Sequence, residues 1–253
     1  MNKPIYRHLS NIQWRNTKRP LLMQRITQMN IVPDILPAID PLVSTELTFP
    51  STSPFLSTDT GRIRQKRISH GEIVPSILSE QPPTLYIQPY DRGERLYTIA
   101  LVNPDVPDVA KDGFAYRCHF LATNIPITPT DTRVQFAALS PDTQTVLPWL
   151  PAYAQKGLPY QRMGIIVLQQ PSHLEIDQIR ADERYGKREG FNLRSFVDRF
   201  GLSPVGVDLF RTVWDESTEG VMKRGGVVGA DVEFKRKRVE PLPYKRKGGE
   251  RYR

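Results

Sequence analysis

Cysteine is almost missing from this sequence: Cys118 is the only one in 253 residues. No intrachain disulfide framework can form, and a reducing compartment is the natural setting. Histidine is sparse too. His8, His70, His119 and His173 are scattered, so none of the close ligand spacings of a structural zinc site occurs. No window approaches the roughly 18 consecutive apolar residues that a membrane-spanning helix requires, and no integral membrane association is expected. Residues 1–33 lack carboxylates altogether while holding six lysines and arginines.

What is present points to strands and turns. The 23 prolines are too many for a helical bundle, and a hydrophobic content of 39% is ordinary for a globular chain. The net charge of +8 is unevenly spread. Residues 220–253 carry eleven cations against four acids, so the two ends hold +6 and +7 and residues 34–219 are left at −5. Basic arms on a slightly acidic body usually seek polyanions.

The N-terminal arm sets Arg7, Arg15, Lys18, Arg19 and Arg25 among Tyr6, Trp14, Leu21 and Leu22. That pattern fits a mitochondrial presequence and an RNA-contacting arm equally well. A solvated leader is the plain alternative, because Pro4 and Pro20 should interrupt any long helix. The C-terminal arm holds Lys235, Arg236, Lys237 and Arg238, then Lys245, Arg246 and Lys247, with Phe234, Tyr244 and Tyr252 interleaved. Such cations grip phosphates while flat rings stack on bases. Neither arm is expected to be ordered alone. Gly225–Gly229 is no dinucleotide loop, since no apolar strand leads into it.

The centre of the chain is the stretch Leu96–Pro126. Leu96–Val102 reads as a strand buried on both faces, Asn103-Pro104-Asp105-Val106-Pro107-Asp108 as a turn, and His119–Ile125 as a second strand. Further strands are expected at Arg62–Ser69, on an edge, and at Pro83–Ile87, Val134–Leu139 and Ile165–Leu168. A capping box at Ser172 and Glu175 should open a helix lasting to Gly186. Asn192 should cap another, with Leu193, Phe196, Val197 and Phe200 on one face and Gly201 ending it.

The NPDVP corner and the HFLATNIP run opened by His119 resemble the DPDxP and HFLVxNIP motifs of the phosphatidylethanolamine-binding protein family. Gly71–Ser76 and the stretch from FNLRSFVDRFGLSPVG to LFRTVWDE are similar to further family segments. The resemblance implies a mainly β fold with peripheral helices (α+β). In it a central antiparallel sheet packs on a smaller one and the helices lie near the C-terminal part. It also implies a domain over 31–219, flanked by basic extensions at 1–30 and 220–253.

The family builds an anion pocket from the first Asp of DPDxP, a histidine pair opening HFLV, and the His and Tyr of GLHRY. Here those places hold Asn103, Cys118-His119, Gln161 and Met163, while Asp105 and Arg162 are retained. A phosphate headgroup would forfeit about 1.5–3 kcal/mol per missing charged hydrogen bond. No small-molecule substrate and no cofactor are therefore expected. Cys118 and His119 should face opposite ways along a strand, and no nucleophile elbow is present, so an enzyme is not expected.

An eroded pocket with basic arms resembles the family members built into the large subunit of the mitochondrial ribosome. That resemblance implies ribosomal RNA and other mitochondrial large-subunit proteins as partners, and a ribosome-bound place in the mitochondrial matrix. The alternatives are a soluble modulator that binds anionic lipid headgroups or inhibits a kinase or protease, and a basic protein at an anionic membrane surface.

Overall fold

A computed structural model of the chain describes residues 3–50 and 65–234. Its strands in chain order are β1 (Ser44–Pro50), β2 (Gln65–Ile68), β3 (Thr84–Gln88), β4 (Arg95–Asp108), β5 (Gly113–Ile127), β6 (Arg133–Gln135), β7 (Thr145–Leu147), β8 (Gln161–Gln169) and β9 (Ser203–Thr212). They form two sheets, ordered β2-β1-β3-β6 and β7-β5-β4-β8-β9, in which every pairing is antiparallel. The apolar run of β4 lies mid-sheet between β5 and β8, where a strand buried on both faces belongs. β2 is an edge strand with only Ile68 buried, as its basic alternation suggests.

Three layers result. Leu47, Phe49, Leu85 and Ile87 of the small sheet meet Ile99, Leu101, Phe120, Ile165, Val167 and Phe210 of the large one. The other face of the large sheet, with Ala100, Val102, Leu121, Ile166 and Val207, is covered by helices. These include α4 (Ile176–Ala181) and α5 (Leu193–Phe200). α5 is built as its sequence dictates. The Asn192 side chain accepts from Ser195 N at 3.0 Å, and Gly201 closes the helix at φ 59°, a conformation glycine adopts freely.

Several expectations are corrected. Asn103–Asp108 is not a turn but the continuation of β4. A register shift between Asn103 and Val106 takes Pro104 and Asp105 out of the regular ladder, so the missing proline donor costs no sheet bond. The reversal comes later. There Asp108 Oδ1 accepts from Ala110 N at 3.2 Å and Lys111 N at 3.3 Å, and Asp112 has φ 49°. The helix foreseen from Ser172 is only α4, because Leu174 N donates to Asn124 Oδ1 at 2.9 Å and ties the preceding stretch to β5 instead. Val134–Leu139 leaves the sheet after Gln135, and Phe136 turns to stack on Phe120 at 4.3 Å.

The N-terminal arm is also corrected. Pro4 opens α1 (Pro4–Asn16) and Pro20 sits in the first turn of α2 (Lys18–Gln28). Amide groups there have no intrahelical acceptor, so neither proline removes a bond. Leu22 and Ile26 of α2 are buried, as is Ile31 of the single turn α3 (Ile31–Asp34). All three belong to the core under the large sheet, so packing does not break at residue 31. At the other end, α6 (Thr218–Arg224) buries Val221 and Met222, and Phe234 N donates to Lys156 O at 2.8 Å. Folded structure thus continues past residue 220. Lys235–Arg238 and Lys245–Lys247 lie outside the described residues.

Candidate functional site

Adjacent strands β4 and β8 bring four of the seven pocket positions together. Asn103 Nδ2 donates to Gln161 Oε1 at 3.0 Å, Gln161 Nε2 donates to Asp105 O at 2.9 Å, and Asp105 N donates to Asn103 Oδ1 at 2.8 Å. Both amide side chains are buried, and this closed ring satisfies their polar groups internally.

Arg162 completes the closure. Its Nε donates to both Asp105 oxygens, at 2.8 and 3.1 Å, and its Nη2 to Oδ1 at 2.5 Å. Nη1 reaches the other way, to Met29 O at 2.8 Å, Asn30 O at 3.1 Å and the Asp34 carboxylate at 2.7 Å. Burial works against this charge, but the Asp105 and Asp34 bonds outweigh it and hold the guanidinium pKa above its ordinary value. A hollow of about 270 Å³ remains outside, between Met29, Asn30, Phe114 and Tyr160, with Asp105 and Arg162 at its wall. Both of those groups are already committed to each other.

Met163 does not join this ring; it is fully buried between the sheets. Cys118 is packed under the helices, where burial pushes its thiol up to about 12 against the opposing pull of Arg188. Sγ donates to Phe120 O at 3.3 Å. The β4–β5 register jumps between Phe120 and Cys118, which makes His119 the extra residue of a bulge. Simple alternation therefore does not describe this pair, but no hydrogen bond joins them among the described residues.

His119 Nδ1 lies 3.3 Å from Leu150 O and 3.1 Å from Pro151 O, so Nδ1 is the protonated nitrogen. Burial, then the nearby Arg117 charge, lowers its pKa to about 3 and keeps it neutral. Its Nε2 and the Tyr153 hydroxyl are buried without a partner among the described residues, their rings 5.6 Å apart. Arg188 donates to Cys118 O at 3.3 Å, His119 O at 2.9 Å and Pro148 O at 2.8 Å, sealing this corner.

Sequence reasoning missed Met29, Asn30 and Asp34 as part of the closure. Two of them act through backbone carbonyls, which leave no side-chain signature. It missed Arg117, Tyr153 and Arg188 as well, whose roles depend on the strand bulge. Of the proposed RNA-contacting cations, Arg19 is bonded to the Asp40 carboxylate and donates to Pro41 O at 3.1 Å. Arg7, Arg15, Lys18 and Arg25 lie on α1 and α2 with no carboxylate within ion-pair distance among the described residues.

With this geometry in place, comparison with known proteins gives a family. The model described as Phosphatidylethanolamine-binding protein matches residues 61–198, more than half of the chain. The chain belongs to the phosphatidylethanolamine-binding protein family. Among its relatives is "Large ribosomal subunit protein mL38" of Schizosaccharomyces pombe, 26% identical over 246 residues, spanning 95% of this chain and 71% of that protein. Two solved structures share the fold. The phosphatidylethanolamine-binding protein from Plasmodium vivax superposes with a TM-score of 0.54 at 16% identity, covering 76% of this chain and 97% of its own. A carboxypeptidase Y inhibitor, solved with its cognate proteinase, gives 0.57 at 13% identity, covering 78% and 97%. Within the family, this chain keeps the strand framework.

Proposed function

We propose that this chain is a structural component of the large subunit of the mitochondrial ribosome. The two-sheet body serves as a family scaffold without a working ligand pocket, and the basic ends anchor it to ribosomal RNA and to neighbouring ribosomal proteins. The observation that carries this reading is the similarity to mL38, which runs through 95% of the chain. The closed ring of Asn103, Asp105 and Gln161, locked by Arg162, supports a scaffold over a ligand carrier. No catalytic step is assigned, because Cys118 is held as a thiol and His119 has no nucleophile beside it. The working place is the mitochondrial matrix, on the ribosome.

The cations act by charge and by stacking. Each phosphate neutralised releases counterions, so the grip must weaken steeply with salt. The test is sedimentation of a mitochondrial extract through gradients at graded ionic strength. The full chain should travel with large ribosomal particles at moderate salt and leave them at high salt, and a chain lacking residues 235–253 should leave at lower salt. Migration at the top of the gradient even at low salt would remove the reading in favour of a soluble modulator.

A further inference from the structure

Helix α1 turns its apolar side away from the body. Trp14 is its one buried residue, with its ring 5.7 Å from that of Tyr90, and it pins the helix to the small-sheet side. Ile5, Leu9 and Ile12 recur at i, i+4 and i+7 and so share one face, with Trp14 about half a turn away. These three are 63%, 56% and 44% exposed, and Tyr6 and the α2 residue Leu21 are as open. Single exposed apolar side chains need no explanation, but a row of them on one outward face marks an interaction surface.

We propose that this row docks into an apolar groove rimmed by carboxylates on a neighbouring protein. Charge identifies the occupant. Residues 1–33 contain no acid, and Arg7, Arg15, Lys18 and Arg25 find no carboxylate within ion-pair distance among the described residues, so an acidic partner surface complements them. A second copy would bring the same cations. RNA would satisfy the cations, but it reads through stacking on aromatic rings and leaves three aliphatic side chains uncovered. An acidic, apolar protein surface covers both. The ribosomal reading enters only in where that protein is found.

The test places a benzophenone amino acid at position 9 of the full chain in the cells it comes from, with position 177, exposed on α4, as control. After irradiation, position 9 should crosslink to one protein, through a peptide carrying apolar residues beside Asp or Glu. Position 177 should reach that peptide about tenfold less. Crosslinks from position 9 to RNA, to lipid or to a second copy overturn the proposal, and so does the absence of any crosslink. Combining Ile5→Ser, Leu9→Ser and Ile12→Ser should weaken partner binding on the order of a hundredfold. The melting midpoint should stay within about 2 °C, since the replaced side chains are exposed. A triple variant that keeps the partner refutes the docking row. A position-9 protein crosslink in a chain that sediments free of ribosomes would leave the row standing and sink the ribosomal reading alone.

Discussion

Arg162 joins three parts of the chain: Asp105 on β4, its own strand β8, and the Met29–Asp34 segment. Replacing it with methionine leaves two carboxylates without their cation, and Arg162→Met should cost about 2–3 kcal/mol in urea unfolding, below the full cost of a deeply buried pair. The two perturbed histidines give opposite pH responses. His119 has a folded pKa far below that of the unfolded chain, so the unfolded state binds the extra proton, and stability falls as pH drops from about 6.5 toward 3. Between pH 7 and pH 5 this amounts to about 2 kcal/mol, and His119→Gln should lose that part of the dependence. His70 bonds Asp208 at 2.7 Å, and that bond raises its pKa against the desolvation that lowers it. Its contribution is complete below the unfolded pKa and fades as pH climbs through the folded one, so His70→Asn should flatten the alkaline side of the same curve. Cys118 should resist thiol reagents in the native protein and react fully in denaturant, as a buried thiol held near 12 must.

At the scale of elements, α1 hangs on one side chain while α2 is part of the core. Trp14→Ala should therefore raise hydrogen exchange across residues 4–16 to near the rate of a free peptide and leave 20–28 protected. Equal loss of protection in both helices would show that they form one unit. Leu22 and Ile26 are buried under the large sheet, so Ile26→Ala should cost about 2–5 kcal/mol and unfold the body with it. What the sequence made legible here follows periodicity. The double-sided burial of β4, the edge character of β2 and the capped stripe of α5 each repeat a pattern over several residues. Proline was the misleading signal. Pro104 read as a breaker, yet it stands at a register shift where no ladder donor is needed, while the break at Thr17 between α1 and α2, just ahead of Pro20, is the interruption expected there. At the candidate site, Asn103, Asp105, Gln161 and Arg162 were legible as neighbours from the motifs on β4 and β8. Its closure was not, because Arg162 is met by main-chain carbonyls of Met29 and Asn30.

At the scale of the whole molecule, a nearly closed protein body carries its excess positive charge at its ends. The family framework supplies rigidity through two packed sheets, and Asn103, Asp105, Gln161 and Arg162 are bonded to one another between β4 and β8. The most direct measurement is electron cryo-microscopy of the mitochondrial large subunit from the source cells. The account predicts density for the two-sheet body within the particle, with the cations of its C-terminal arm in contact with RNA phosphates and the Asn103–Gln161 ring closed. A large subunit without this body would contradict it, above all if the free protein held a phosphorylated headgroup beside Arg162.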